Sequence, residues 1–175
     1  MRRITMKKKI KVYIGASKGI SFTSRIIKWY QWGEPHTHIF YIVGNPIVKN
    51  PLVIESFEKP LFKGGVRKGR FFDLHTEGTE YDVYSVLVTY EQKEKIEEFL
   101  EDKIGHKYDY LGILGFEFRS KNMQSKKRYF CSELVFSAFQ HAGINLLANT
   151  FPSQVSPALF IKSPLLKTEK LSDPI

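Results

Sequence analysis

Cysteine is nearly absent from this chain of 175 residues, which contains a single one, Cys131. One cysteine cannot form an intramolecular disulfide, which fits a reducing compartment. The thiol is therefore either a small buried core residue or a reactive group. The residues around it, RYFCSELVFSAFQHAG (128–143), bear on which of these two roles Cys131 has.

Long apolar runs are also missing. No stretch approaches the roughly 18 residues that are needed to cross a bilayer. The start of the chain, MRRITMKKKIKVYIGASKG, is as basic as the front of a secretory signal, but Lys11 interrupts its apolar stretch and Lys18 follows. A signal peptide needs a continuous apolar segment after its basic residues. We therefore expect no transmembrane segment, no secretory signal and a cytoplasmic location.

Acidic residues are fewer than basic ones: the chain has 18 Asp and Glu but 27 Lys and Arg, which gives a net charge of +9. The cations lie in small clusters at 2–11, 63–70 and 121–128, with no zinc-finger spacing, RNP-like aromatic strand or basic heptads beside them. We expect a solvated basic surface and no specific nucleic-acid partner. An acidic partner, such as an anionic lipid or a cell-wall polymer, stays open. Salt-dependent retention on DNA would reveal a nucleic-acid-binding protein instead.

The composition is that of a folded domain. Hydrophobic residues make up 42% of the chain and aromatic residues 14%, which argues against disorder. No repeat or long linker divides the chain, so we expect one domain over residues 1–175. Apolar segments rich in β-formers predict strands at 10–16, 36–44, 51–57 and 81–90. The glycine- and lysine-rich segment 59–69 predicts a loop.

Helical spacing of apolar residues predicts a helix at 21–33. Thr89 and Gln92 form a capping-box pattern that starts a second helix, and Gly105 ends it. Strands and helices together predict an α+β fold with an antiparallel central sheet. The other segments are a short helix or buried stretch at 108–118, a basic loop at 121–128 and an irregular tail, SPALFIKSP, at 156–164.

The cysteine lies at the start of an amphipathic helix. Its N-terminal position favours negative charge, because backbone N–H groups there are unpaired and the helix dipole points its positive end outward. That placement predicts a lowered thiol pKa and a set of donors for an oxyanion. Ser132 in the first turn and Tyr129 just before the cysteine are candidates to contact a substrate. The apolar face is formed by Leu134, Val135, Ala138, Phe139 and Ala142, and Gly143 ends the helix.

A thiol nucleophile needs a histidine close to it in space. His75 lies in a predicted polar loop, His106 follows a helix stop, and His141 is too far along the cysteine helix. His36 and His38 remain, at the start of the strand HTHIFYIVG, where alternate side chains share a face.

Glu55 is the candidate third group. It interrupts the apolar strand PLVIESF, where a carboxylate is costly unless it is paired. If this strand and HTHIFYIVG are antiparallel neighbours, Glu55 lies near His38 and can orient its imidazole. An edge-strand glutamate facing water is the alternative.

Several of these segments resemble one known family. HTHIFYIVG, PLVIESF, YDYLGILGF, RYFCSELVFSAFQHAG and the later Ser-Pro are similar to motifs of the circularly permuted papain-like amidases of the NlpC superfamily, in the YaeF/YiiX-like group. The cysteine block is the most specific of them. Thr37 stands where the family more often has serine. The resemblance assigns no role to His36, which is a further candidate to contact a substrate.

The resemblance implies a permuted papain-like fold and a thiol-dependent hydrolase. Cys131 is then the nucleophile, His38 the base and Glu55 the residue that orients His38, with no metal or cofactor. Relatives hydrolyse cell-wall peptide amides or, in the lecithin:retinol acyltransferase branch, transfer acyl groups. We accordingly expect an amide- or acyl-containing small molecule, peptide or lipid as substrate, and leave the oligomeric state open.

Two further functions stay open. One is a zinc site built from His36, His38, Glu55 and Cys131, although a lone cysteine at a helix start is an unusual fourth ligand. The other is a non-catalytic binding module on the same fold. Metal analysis of the purified protein and labelling of Cys131 by an electrophile separate them from the thiol enzyme.

Overall fold

The structure is a computed structural model, and it describes residues 8–18, 33–57, 64–75, 78–108 and 128–170. The helix predicted at 21–33, the apolar stretch at 108–118 and the loop predicted at 121–128 lie outside these ranges, except for one end residue each. Within the described ranges, no helix has the length and apolar character that a bilayer crossing requires.

One sheet contains all eight strands of the described residues. Neighbouring strands run antiparallel throughout, except for the last pair at one edge, which is parallel. The antiparallel central sheet and the mixed α+β class are therefore confirmed. The strands are β1 (Lys9–Ser17), β2 (His38–Val43), β3 (Leu52–Phe57), β4 (Gly65–Arg70), β5 (Tyr81–Thr89), β6 (Lys107–Tyr108), β7 (Arg128–Tyr129) and β8 (Lys167–Glu169), in the sheet order β7-β6-β4-β3-β2-β1-β5-β8.

Helices cover the two faces of the sheet unequally. The larger core joins α2 (Tyr90–Asp102) and α3 (Cys131–His141) to the face that carries Ile39, Tyr41 and Ile54. The opposite face has a smaller core of Phe40, Ile42, Val53, Val83 and Phe71, the last from the short helix α1 (Phe71–Leu74). The described residues also contain α4 (Pro157–Phe160) and a 3-10 turn at Pro152–Gln154.

The predicted cap of α2 is confirmed. The hydroxyl of Thr89 accepts a hydrogen bond from the backbone N–H of Gln92, and the Gln92 side chain accepts one from the N–H of Thr89. The helix ends at Asp102 rather than at the predicted Gly105, whose φ of +88° belongs to the turn that follows. Two donors that would otherwise be unpaired at the helix start are thus satisfied.

Two segments differ from the prediction. Strand β4 occupies much of the predicted loop at 59–69 and pairs with β3 along its whole length. Its Gly65 is required by close packing, because a Cβ there would collide with the carbonyl oxygen of His106. The tail predicted to be irregular contains α4, which is capped by the hydroxyl of Ser156 accepting from the N–H of Leu159.

The ladder between β2 and β3 is incomplete at one end. Strand β2 pairs with β1 as far as Ser17↔His38, and β3 pairs with β4 as far as Phe57↔Gly65. In contrast, the pairing of β2 with β3 stops at Tyr41↔Ile54. The two strands therefore have no mutual backbone pairing where they carry His38 and Glu55.

Candidate functional site

Glu55 is the centre of a buried polar cluster. Its side chain is fully buried, and its Oε2 accepts hydrogen bonds from Nε2 of His38 at 2.7 Å and Nε2 of His75 at 2.8 Å. Its Oε1 accepts from Arg67, at 2.8 Å from Nε and 2.7 Å from Nη2. Both carboxylate oxygens are thus paired, as a buried carboxylate requires.

The strand register brings these four side chains together. Glu55 lies opposite Arg67 in the β3–β4 pair, so both project from the same face of the sheet. That face also carries Phe40 and His38, whose rings lie 6.1 Å apart between centroids. His75 follows α1, and its ring stacks on Phe71 of that helix with 4.3 Å between centroids.

The charges of this cluster are set by burial and hydrogen bonding. Burial alone would raise the pKa of Glu55, but its interactions with His38 above all, and with His75, outweigh burial and hold this pKa well below its ordinary value. Burial lowers the pKa of His38 and outweighs the nearby Glu55 charge. At neutral pH Glu55 is therefore ionised and His38 is neutral. A neutral His38 that donates from Nε2 carries its lone pair on Nδ1.

Cys131 begins α3 and is fully buried. Burial raises the pKa of its thiol to about 12, and the negative charge of Glu55 acts in the same direction. Backbone N–H groups of Ile39, Ser132 and Cys131 itself act in the opposite direction and lower this pKa, but less strongly. The lowered thiol pKa expected from the helix terminus is thus wrong, because exclusion of water outweighs the helix-end donors.

The helix that begins at Cys131 and the ring of His38 lie on opposite faces of the sheet. Helix α3 packs on the face of Ile39, while His38 projects with Phe40 from the opposite face. The sulfur reaches the backbone of β2 at Ile39, in the part of that strand that β3 does not pair. Among the described residues, the ring of His38 hydrogen-bonds Glu55, and no hydrogen bond joins it to Cys131. The structure therefore brings His38 to Glu55 as expected, with Cys131 next to the strand that carries His38.

The other candidates have their own partners. His36 hydrogen-bonds Glu34 through Nδ1 at 3.1 Å and Asp82 through Nε2 at 2.6 Å, and so does not join Glu55. Ser132 is buried, and its hydroxyl donates to the backbone carbonyl of Val155. The backbone of Tyr129 lies in β7, and its side chain is outside the described part of the chain.

Sequence reasoning missed two members of the cluster. The sequence predicts a polar loop at His75 and a loop at 59–69, which contains Arg67. One signal for Arg67 was available, because a buried carboxylate at Glu55 demands a cation from a neighbouring strand. For His75 the signal was weaker, since only the short helix α1 carries it back over the sheet.

The cluster also has the composition of a metal site. The candidate ligand atoms of His38, Glu55 and His75 lie within 4.8 Å of one another, and all three side chains are at least nine-tenths buried. Two imidazoles and one carboxylate suit zinc and similar divalent ions. Of the four ligands expected from the sequence, only His38 and Glu55 meet here, and His75 replaces the other two.

A solved structure of similar fold is that of the metalloprotein yiiX from Escherichia coli O157:H7, described as DUF1105. The two chains are 21% identical, with a TM-score of 0.66 over 94% of this chain and 98% of the other. No family model and no curated protein matches this chain.

This similarity confirms the YiiX-like fold that the motifs indicated. At this level of identity it concerns the fold alone. The papain-like permutation, the NlpC superfamily and the roles of Cys131, His38 and Glu55 stay predictions.

Proposed function

We propose that this protein is a thiol-dependent acyl-transfer enzyme, most simply a hydrolase of amide bonds, with Cys131 as nucleophile and His38 as base. One observation carries the proposal. A buried histidine–carboxylate pair lies at the unpaired end of β2 and β3, and the N-terminus of α3 places the only cysteine of the chain against the same strand.

The resting state of such an enzyme holds a neutral thiol and a neutral imidazole. Burial raises the pKa of Cys131 and lowers that of His38, so both groups disfavour the charged form. The proton consequently moves only as the sulfur attacks. Nδ1 of His38 accepts it, while Nε2–H stays bonded to Glu55, which stabilises the imidazolium that forms.

The remaining steps follow from this proton transfer. The sulfur bonds to the carbonyl carbon, and N–H groups at the start of α3 hold the oxyanion. His38 then gives its proton to the leaving amine as the carbon–nitrogen bond breaks. Water, activated by the same imidazole, releases the acid and restores the thiol, whereas another nucleophile would make the protein an acyltransferase.

The proposal requires the thiol and the imidazole to meet at the gap between β2 and β3. Backbone pairing is absent between Phe40 and Glu55, so at this end β2 and β3 are joined by the side chains of His38 and Glu55 rather than by the strand ladder. Substrate entry at the gap would also admit the carbonyl group, because Cys131 is fully buried in the closed arrangement.

A substrate panel tests the proposal. Small acyl amides, peptide amides and thioesters are offered to the wild type and to three variants. Cys131→Ala and His38→Ala should each abolish turnover, since nucleophile and base act as one unit. Glu55→Gln should retain a fraction of it. His141→Ala, at the far end of α3, is the matched control and should leave turnover unchanged. Turnover that survives Cys131→Ala refutes the proposal.

Metal binding is a second candidate function. It is favoured by the cluster of His38, Glu55 and His75, and the neighbour of similar fold, yiiX, is described as a metalloprotein. When bound, a zinc-like ion would supply Lewis acidity to a carbonyl or a water.

A further inference from the structure

One carboxylate oxygen organises the two histidines of the site. Oε2 of Glu55 accepts from both Nε2 atoms, of His38 and of His75, whereas Oε1 is taken by Arg67. The three atoms that face one another are therefore two imidazole nitrogens and one carboxylate oxygen. These are ligand atoms of the kind that hold zinc, and here they converge inside the protein rather than on its surface.

The supporting contacts fix the same atoms in place. Arg67 contacts Oε1 of Glu55 with two nitrogens. It also donates a hydrogen bond, at 3.1 Å, to the carbonyl of Leu74, the residue directly before His75. His75 is also stacked on Phe71. Ligands that are oriented in this way need little rearrangement to accept an ion.

We propose that His38, Glu55 and His75 form a binding site for a divalent metal ion of the zinc type, and that the bound ion switches off the thiol chemistry of Cys131. The first part stands without any catalytic role, while the second rests on the proposed function. His36 and Cys131 are not ligands. Both ring nitrogens of His36 are engaged elsewhere, Nδ1 by Glu34 and Nε2 by Asp82.

The switch follows from where the imidazole proton sits. In the proposed enzyme, Nε2 of His38 carries the proton and Nδ1 has the lone pair that accepts the thiol proton. A metal ion at Nε2 takes the lone pair of that nitrogen, so the proton moves to Nδ1. Nδ1 is then a donor and cannot act as the base. Metal binding and proton abstraction from Cys131 therefore exclude each other.

Cobalt binding tests the ligand set. Metal-free protein is titrated with Co²⁺ and then with Zn²⁺ as competitor, and affinity is read from visible absorption bands and calorimetry. We expect one ion per chain for the wild type. His75→Ala should weaken binding by more than about 100-fold, since even loss of an outer-shell partner costs about 10- to 100-fold. His36→Ala should bind as the wild type does.

A cysteine variant separates this set from a thiolate site. Cys131→Ala should bind Co²⁺ with unchanged affinity, and the wild-type complex should lack the near-ultraviolet charge-transfer band of a cobalt–thiolate bond. Loss of binding in Cys131→Ala, or that band in the wild type, overturns the proposal. So does unchanged binding in a folded His75→Ala protein, where circular dichroism serves as the fold check.

The switch has its own readout. Zn²⁺ should inhibit turnover of the wild type, and a chelator should restore it. In His75→Ala, the concentration for half inhibition should rise by the same factor as the dissociation constant. Binding without inhibition refutes the switch and leaves the site standing. If no substrate is turned over at all, the proposed function fails, and the cobalt titration still decides the site.

Discussion

The reactivity of Cys131 gives the sharpest test of the buried thiol. With its pKa at about 12, the thiolate fraction near pH 7.5 is roughly 3000 times smaller than for a free thiol of pKa about 8.5. Alkylation by iodoacetamide should therefore be slower by at least this factor, and burial of the sulfur adds to the delay. Intact-mass measurement over time, with urea-unfolded protein as the matched control, gives the rate.

The pH dependence separates low thiolate content from simple obstruction. We expect the alkylation rate of the folded protein to keep rising up to the alkaline limit of its stability, without a midpoint near 8.5. His38→Ala should barely move the profile, because a neutral imidazole does not stabilise a thiolate. A midpoint clearly below 8.5 that shifts upward in His38→Ala would refute this reasoning and restore a thiolate–imidazolium pair.

Three further predictions concern stability. Glu55→Gln should lower the free energy of unfolding in urea by about 3 kcal/mol, because it removes the negative charge that is paired with Arg67. A loss below about 1 kcal/mol would contradict that pairing. Folding raises the pKa of Cys131 from 9.0 to about 12, so its stabilising contribution is present below pH 9.0 and is lost as pH rises. The free energy of unfolding should therefore fall by about 1.4 kcal/mol per pH unit in that range. The fall should be shallower in Cys131→Ser, and equal slopes in the two proteins would count against the buried thiol. Ser132→Ala should lower the free energy of unfolding by about 1 kcal/mol, because the Ser132 hydroxyl donates a hydrogen bond to the Val155 carbonyl. A variant that changes only KM and not stability would instead support a contact between Ser132 and the substrate.

Much of the sheet could be predicted from its sequence pattern. The strands at 10–16, 51–57 and 81–90 lie within one residue of β1, β3 and β5 at both ends. The contact between Glu55 and His38 followed from one argument, that a carboxylate in an apolar strand needs a partner. Strand β4 was missed because glycine and lysine obscure its alternation, while its stability comes from pairing with β3.

The site was harder to predict because two of its properties depend on tertiary structure. The position of Cys131 at a helix start was visible in the sequence, but its complete burial was not, and burial decides the direction of its pKa. His75 lies 20 positions after Glu55 in the chain. Only the return of α1 over the sheet brings the two together, and no local pattern encodes that contact.

Glu55 has a larger role than orienting one imidazole, since its two oxygens serve different partners. Oε1 neutralises Arg67, and Oε2 accepts from two histidines. A glutamine can offer its one carbonyl oxygen to Arg67 or to the histidines, and its amide group then points N–H donors at the other partner. In either orientation the amide therefore leaves one of these partners facing a donor, which costs stability even where His38 keeps its acceptor. A carboxylate at this position is required by the whole cluster, and the same requirement leaves Oε2 between His38 and His75, where either two protons or one metal ion can bridge them.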